Sequence, residues 1–138
     1  MGSAMFSREI KNNASNILNV CNRKNIKIVT AESCTGGLIA VCLTEVPGSS
    51  SVVEGGFVTY SNNLKNSILL VKLEEIEQHG AVSEAVARSM AEGALLISKA
   101  DIAIACTGVA GPDGGTSLKP VGLVHLACAS RNYQTIHQ

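Results

Sequence analysis

The chain has no tryptophan, and only two phenylalanines and two tyrosines among 138 residues. Its core must therefore be aliphatic, drawn from the Ala, Val, Ile and Leu that dominate a 46% hydrophobic composition. Net charge is missing as well, because eleven acidic residues balance eleven basic ones. That excludes the basic footprint of a nucleic-acid binder. No apolar run reaches the length of a membrane span. Histidine is scarce: His79 lies in a charged connection, His125 inside a strand pattern and His137 at the chain end. None stands at a strand end where it would activate a serine, so a Ser-His-Asp triad is not expected. The five cysteines (Cys21, Cys34, Cys42, Cys106, Cys128) are odd in number and contain no C-x-x-C pair. They read as reduced core residues of a cytoplasmic protein, with neither a disulfide frame nor a zinc site. Glu32 and Asp113 have no further carboxylate or histidine at ligand spacing, and no metal is expected.

What is present is an alternation of short β-rich runs and helical patterns. Ile10, Ala14, Ile17, Leu18 and Cys21 predict an amphipathic helix over 6–23. Ile26 to Ala31 reads as the first strand, and Leu38 to about Glu45 as a helix stopped by Pro47-Gly48. Glu54 to Tyr60 follows as a strand. Ser61-Asn62-Asn63 then caps a helix to about Val71, with Leu64, Ile68 and Val71 on one face. Glu74 to Gly80 is a charged connection or a single helical turn. Val86, Met90, Ala94 and Ile97 form a stripe on a helix running from Ser83 to Lys99. Asp101 to Cys106 suits a buried strand, and Val121 to Ala129 is another. The alternation predicts an α/β domain, a layered α/β/α sandwich with helices on both faces of a central sheet. One domain is expected over 6–138, with Met1-Gly2-Ser3-Ala4-Met5 reading as an expression scar.

Sites in such folds gather at strand ends, and three loops there carry chemistry: Glu32 to Gly37, Tyr60 to Lys65 and Thr107 to Thr116. In the first, Ser33 and Thr35 are good helix caps. Gly36 and Gly37 admit a ligand close to the backbone, at a helix start that favours an anion. Either hydroxyl could equally be a nucleophile beside an oxyanion site. Cys34 is a rival nucleophile. Lys65 is a base if desolvated and a plain helix residue if solvated, and the Tyr60 phenol could relay its proton. The third loop is dense in glycine and exposes backbone N–H groups. Neither glycine-rich loop matches a P-loop or dinucleotide fingerprint. A phosphate or oxyanion is the expected ligand type, and these residues alone leave the reaction open.

Taken together, Ala31-Glu32-Ser33-Cys34-Thr35-Gly36-Gly37, Val58-Thr59-Tyr60-Ser61-Asn62 with Lys65, Gly80-Ala81-Val82-Ser83, and Thr107 to Thr116 with Lys119-Pro120-Val121-Gly122 resemble the CinA C-terminal domain family. The resemblance runs in order from about Ile10 to Ala129. It implies a nicotinamide-nucleotide amidase, which hydrolyses the carboxamide of nicotinamide mononucleotide to nicotinate mononucleotide and ammonia without metal or cofactor. Carried across by motif, Ser33 is the nucleophile, Lys65 its general base and Tyr60 an aid to proton transfer. Thr107 and the backbone at Gly108 would steady the amide oxygen. The substrate would lie against Thr35, Gly36, Gly37, Gly108, Gly111, Gly114 and Gly115. The partner implied is a small nucleotide, neither nucleic acid nor membrane, and homo-oligomers are common in the family. Tyr60-Ser61-Asn62 is also similar to a Tyr-x-Asn element of Ser-Lys hydrolases, although Gly36 stands where their S-x-x-K lysine would be.

Family members continue past the last strand with a further strand, a Gly-Asp-Arg-type segment and a closing helix. The sequence here ends at Gln138. The resemblance therefore implies a domain without its C-terminal part, a sheet edge without its neighbour, and no arginine in the role that the family's later one takes, since Arg131 comes too early. The other reading is a non-catalytic nucleotide-binding or interaction domain of the same fold.

Overall fold

Ser7 turns its hydroxyl to the N–H of Ile10 and starts the first helix, satisfying one of the donors that every helix start leaves open. In the computed structural model, which describes residues 4–138, that helix is α1, Arg8–Arg23. Ala14, Leu18 and Cys21 form its buried stripe, whereas Ile10 and Ile17 of the predicted face are exposed. The chain continues through β1 (Ile28–Glu32), α2 (Leu38–Thr44), a 3-10 turn at Ser49–Ser51, β2 (Val53–Val58) and α3 (Asn62–Leu69). Then come α4 (Leu73–His79), α5 (Glu84–Ile97), β3 (Ile102–Gly108), β4 (Val124–Ser130) and β5 (Tyr133–His137).

The five strands form one sheet in the order β2-β1-β3-β4-β5. β1 pairs in parallel with both β2 and β3, and β4 and β5 add on antiparallel. Alternation along the strands divides the core in two. Val29, Ala31, Ala103, Ala105, Ala127 and Ala129 face α5 and its Val86, Met90 and Ala94. Ile28, Ile102 and Ile104 face the other way, toward Leu18, Cys21 and Leu43 of α1 and α2. The predicted α/β/α layering is the architecture found. Small residues set the layer spacing. A Cβ on Gly56 would meet Thr30 Oγ1 at 2.6 Å and Ala40 Cβ at 3.2 Å. One on Gly93 would lie 1.8 Å from the Leu69 carbonyl oxygen, where α5 crosses the end of α3.

Four expectations are corrected. Glu74 to Gly80 is no loose connection: α4 makes nearly two turns, with Ile76 buried. Helix α3 is turned by about one residue, burying Lys65 and Leu69 and leaving Leu64 and Ile68 exposed. β4 does have a neighbour, because residues just beyond it fold back as β5. Neither Ser33 nor Thr35 caps α2, whose N-cap is Gly37 in a left-handed conformation. The carboxylate of Glu32 caps it instead, accepting the N–H groups of Ile39 at 2.8 Å and Ala40 at 3.0 Å. Of the predicted scar at 1–5, residues 1–3 lie outside the described residues.

Two substitutions test this packing. Gly93→Ala should cost about 3 kcal/mol of unfolding free energy, because a backbone carbonyl blocks the new methyl group. Glu32→Gln should cost about 2 kcal/mol, because an amide NH2 would confront a backbone donor. Urea titration should show both as lower midpoints at an unchanged slope.

Candidate active site

Strand β1 ends where two consecutive residues point to opposite faces of the sheet. Glu32 turns toward α2. Besides the two amides, it accepts the hydroxyl protons of Thr35 at 2.6 Å and Thr30 at 3.3 Å. Four donors thus hold a carboxylate that is 1% exposed, and burial of this kind is tolerable only with such compensation. The helix-start amides of Ile39 and Ala40, read from the sequence as an anion cradle, are occupied by the protein's own anion.

Ser33 turns the other way. Its N–H continues the sheet by bonding to the Cys106 carbonyl at 2.9 Å, and its hydroxyl receives Lys65 Nζ at 2.9 Å. The lysine reaches in from the first turn of α3, which Ser61 caps through the N–H of Leu64. Its Nζ also donates to the carbonyls of Thr59 at 2.9 Å and Tyr60 at 3.0 Å. Lys65 is 1% exposed and makes no ion pair among the described residues. Burial pushes its pKa below the ordinary 10.5, while the charge that Cys34 can carry acts in the opposite direction. Burial prevails because no carboxylate faces the amine.

No charged partner among the described residues opposes loss of a proton from this amine. Nζ faces three acceptors, and loss of one proton would leave two N–H bonds to the carbonyls and a lone pair turned to the Ser33 hydroxyl. Thr59, whose carbonyl is one of these acceptors, has its own Oγ1 buried without a hydrogen-bond partner among the described residues.

The other predicted residues are placed differently. Tyr60 joins the cluster through its carbonyl, and its side chain is exposed. Thr107 is buried at the end of β3, one residue beyond the carbonyl that holds Ser33, and its hydroxyl donates to the Ala81 carbonyl at 2.8 Å. Of the glycines, Gly36 and Gly114 face open space. Gly108, Gly111 and Gly115 instead pack against Leu123 and Val121, so their missing side chains serve the fold of the loop. A cleft of about 720 Å³ is lined by His79, Ser83, Arg88, Lys119 and His125 among others, and neither Ser33 nor any residue of 107–116 takes part.

Sequence reasoning missed Glu32 as the organiser of the turn. Its signal was a lone carboxylate directly after the apolar run Ile28-Val29-Thr30-Ala31. It also missed the backbone carbonyls that hold Lys65, for which side-chain patterns carry no signal.

Comparison with known proteins places the whole chain. Residues 10–138 match the CinA C-terminal domain. A CinA-like protein of Colwellia psychrerythraea is 54% identical over 120 residues, covering 87% of this chain and 28% of that protein. A putative competence-damage inducible protein of Symbiobacterium thermophilum is 58% identical over 111 residues, covering 80% and 26%. The chain thus spans about a quarter of the length of these relatives. The crystal structure of the competence/damage inducible protein CihA from Agrobacterium tumefaciens superposes with a TM-score of 0.96 at 48% identity, over 99% of this chain and 82% of that one. A CinA superfamily protein from Escherichia coli gives 0.89 at 34%, over 98% and 79%. With the family model matching residues 10–138 and a crystal structure superposing over 99% of the chain at 48% identity, the chain belongs to the CinA C-terminal domain family.

Proposed function

We propose that this domain is an amidohydrolase that cleaves the carboxamide of nicotinamide mononucleotide, releasing ammonia and nicotinate mononucleotide. The observation that carries the reading is the 2.9 Å contact between Ser33 Oγ and a buried lysine with no carboxylate partner. A serine needs a base to become a nucleophile, and a desolvated lysine amine is one. The substrate is assigned from the motif resemblance; the geometry supports the reaction class.

In the first half-reaction Ser33 Oγ attacks the amide carbon as its proton passes to Lys65 Nζ. The carbonyl oxygen becomes an oxyanion, and Thr107 with the backbone at Gly108 is assigned to steady it. The Lys65 ammonium then protonates the departing nitrogen, the C–N bond breaks, and ammonia leaves an ester on Ser33. In the second half-reaction Lys65 takes a proton from water, the resulting hydroxide attacks the ester, and Ser33 leaves with the proton returned to it. The exposed Tyr60 phenol is assigned to assist transfer to the leaving nitrogen.

Because Glu32 occupies the amides of Ile39 and Ala40, the substrate phosphate is assigned to the loop from Gly111 to Gly115. Thr35, Gly36 and Gly37 are assigned to the pyridine side of the substrate.

Ser33→Ala should abolish ammonia release from nicotinamide mononucleotide while nucleotide binding stays measurable by calorimetry. Lys65→Ala should lower kcat by roughly two to four orders of magnitude. Undiminished turnover in the serine variant would overturn the assignment.

The pH dependence has a definite sign. Only the neutral amine accepts a proton, so kcat/KM should rise with pH through the folded-state pKa of Lys65, below 10.5. Stability moves in the same sense. The unfolded chain binds this proton more tightly, so the destabilising contribution of the buried lysine shrinks as pH climbs from that folded pKa toward 10.5. A pH–rate profile alongside urea titrations of the parent and Lys65→Met chains checks both.

A further inference from the structure

Two thiols meet beside the nucleophile, and the mechanism uses neither. Cys34 follows Ser33 in the turn, and its Sγ lies 3.8 Å from Sγ of Cys106, 72 residues away in sequence. Cys106 is fixed within β3, in register with Glu32, and its carbonyl is the group that holds the Ser33 N–H. The two differ in access: Cys34 is half-buried and Cys106 is 1% exposed. Cys21, Cys42 and Cys128 make no such sulfur contact among the described residues.

We propose that Cys34 and Cys106 are a reversible redox site, which hydrogen peroxide closes into a disulfide that silences Ser33. Cys34, the thiol that solvent reaches, reacts first. Its thiolate attacks one peroxide oxygen, the O–O bond breaks, and the departing hydroxide takes up a proton as water, leaving Cys34 as a sulfenic acid. Cys106 sulfur then attacks Cys34 sulfur and displaces hydroxide, which takes the Cys106 proton and leaves as a second water. In sum, two thiols lose two electrons and two protons, and one peroxide is reduced to two waters.

The order fits the surroundings of Cys106. Burial first, and Cys34 beside it second, push its thiol up to about 12, so it waits protonated. Oxidation of Cys34 to a neutral sulfenic acid removes the second of these contributions, while the larger one, burial, stays.

Closing the bond must bring the sulfurs nearer by roughly 1.8 Å from their 3.8 Å separation. Cys106 is held by strands on both sides, so most of the movement falls on Cys34 and the turn that carries Ser33. A displacement of about 1 Å at a reacting group is enough to lower turnover roughly 100-fold. That loss of turnover rests on the Ser33–Lys65 reading, whereas formation of the bond does not.

The test is a peptide map of the full chain after exposure to stoichiometric hydrogen peroxide, without reductant. The peptide 28–65 should appear joined to 100–131 and separate again with dithiothreitol. Fragmentation must place the link at Cys34 and Cys106, because each peptide carries a second cysteine, Cys42 and Cys128 respectively. In Cys106→Ser the link should vanish and Cys34 should stop at the sulfenic acid, which dimedone traps. Turnover of nicotinamide mononucleotide should fall roughly 100-fold with the link and return on reduction. A parent chain in which Cys34 oxidises without linking, or links to another cysteine, overturns the redox site. A link that forms and reverses while turnover is unchanged overturns only the silencing. A link in a chain without amidase activity leaves the redox site standing and overturns the amidase reading instead.

Discussion

A carboxylate and an amine are buried on opposite sides of two consecutive residues, and they never meet. Glu32 and Ser33 are consecutive at the end of β1, so the strand's alternation sends their side chains to opposite faces of the sheet. Glu32 is compensated on the α2 side by two amides and two hydroxyls. Lys65, on the α3 side, bonds to Ser33 and two carbonyls, none of which carries a formal charge. Had the two groups faced one another, an ion pair would have held the lysine as an ammonium. The two-residue period of a β-strand thus keeps a base available inside the protein.

The sheet order gives that arrangement its place. β1 lies between two parallel neighbours, and the connections that leave β1 and β3 diverge, which opens a crevice at the strand ends. Closeness comes from alanine and glycine. The α5 face of the sheet is nearly all alanine, and Gly93 lets α5 come up against the Leu69 carbonyl at the end of the helix that carries Lys65. Larger residues at these positions would lift α3 and α5 away from the sheet and draw Nζ out of reach of Ser33.

Much of this was legible in the sequence. The small-apolar run before Cys106, the glycine-rich turns and the strand–turn–helix grammar around Ser33 all predict the layered fold. Local pattern failed where tertiary context decides. Leu64, Ile68 and Val71 share a face by spacing, yet of these only Val71, beyond the end of α3, is buried. The helix itself buries Lys65 and Leu69, because three acceptors at the ends of β1 and β2 hold the lysine head. No hydropathy rule places a lysine inside. β5 was invisible for a different reason: Tyr133 to His137 is short and mostly polar, and only its pairing with β4 makes it a strand. Glu32 looked like a stray carboxylate because half of its partners are backbone amides of a helix that begins several residues later.

The carbonyl that holds Ser33 comes from Cys106, more than half the chain away. Parallel pairing of β1 with β3 therefore closes a long loop, and contacts of that range are slow to form because chain entropy opposes them. Ser33 and Lys65, by contrast, belong to a compact N-terminal segment and could meet early. Their alignment gains its full support only when β3 docks against β1 and fixes the turn from the other side. A nascent or partly folded chain would hold the two residues without that support. Chemical competence and completion of the fold would then arrive together, and half-made copies of the protein would be catalytically silent.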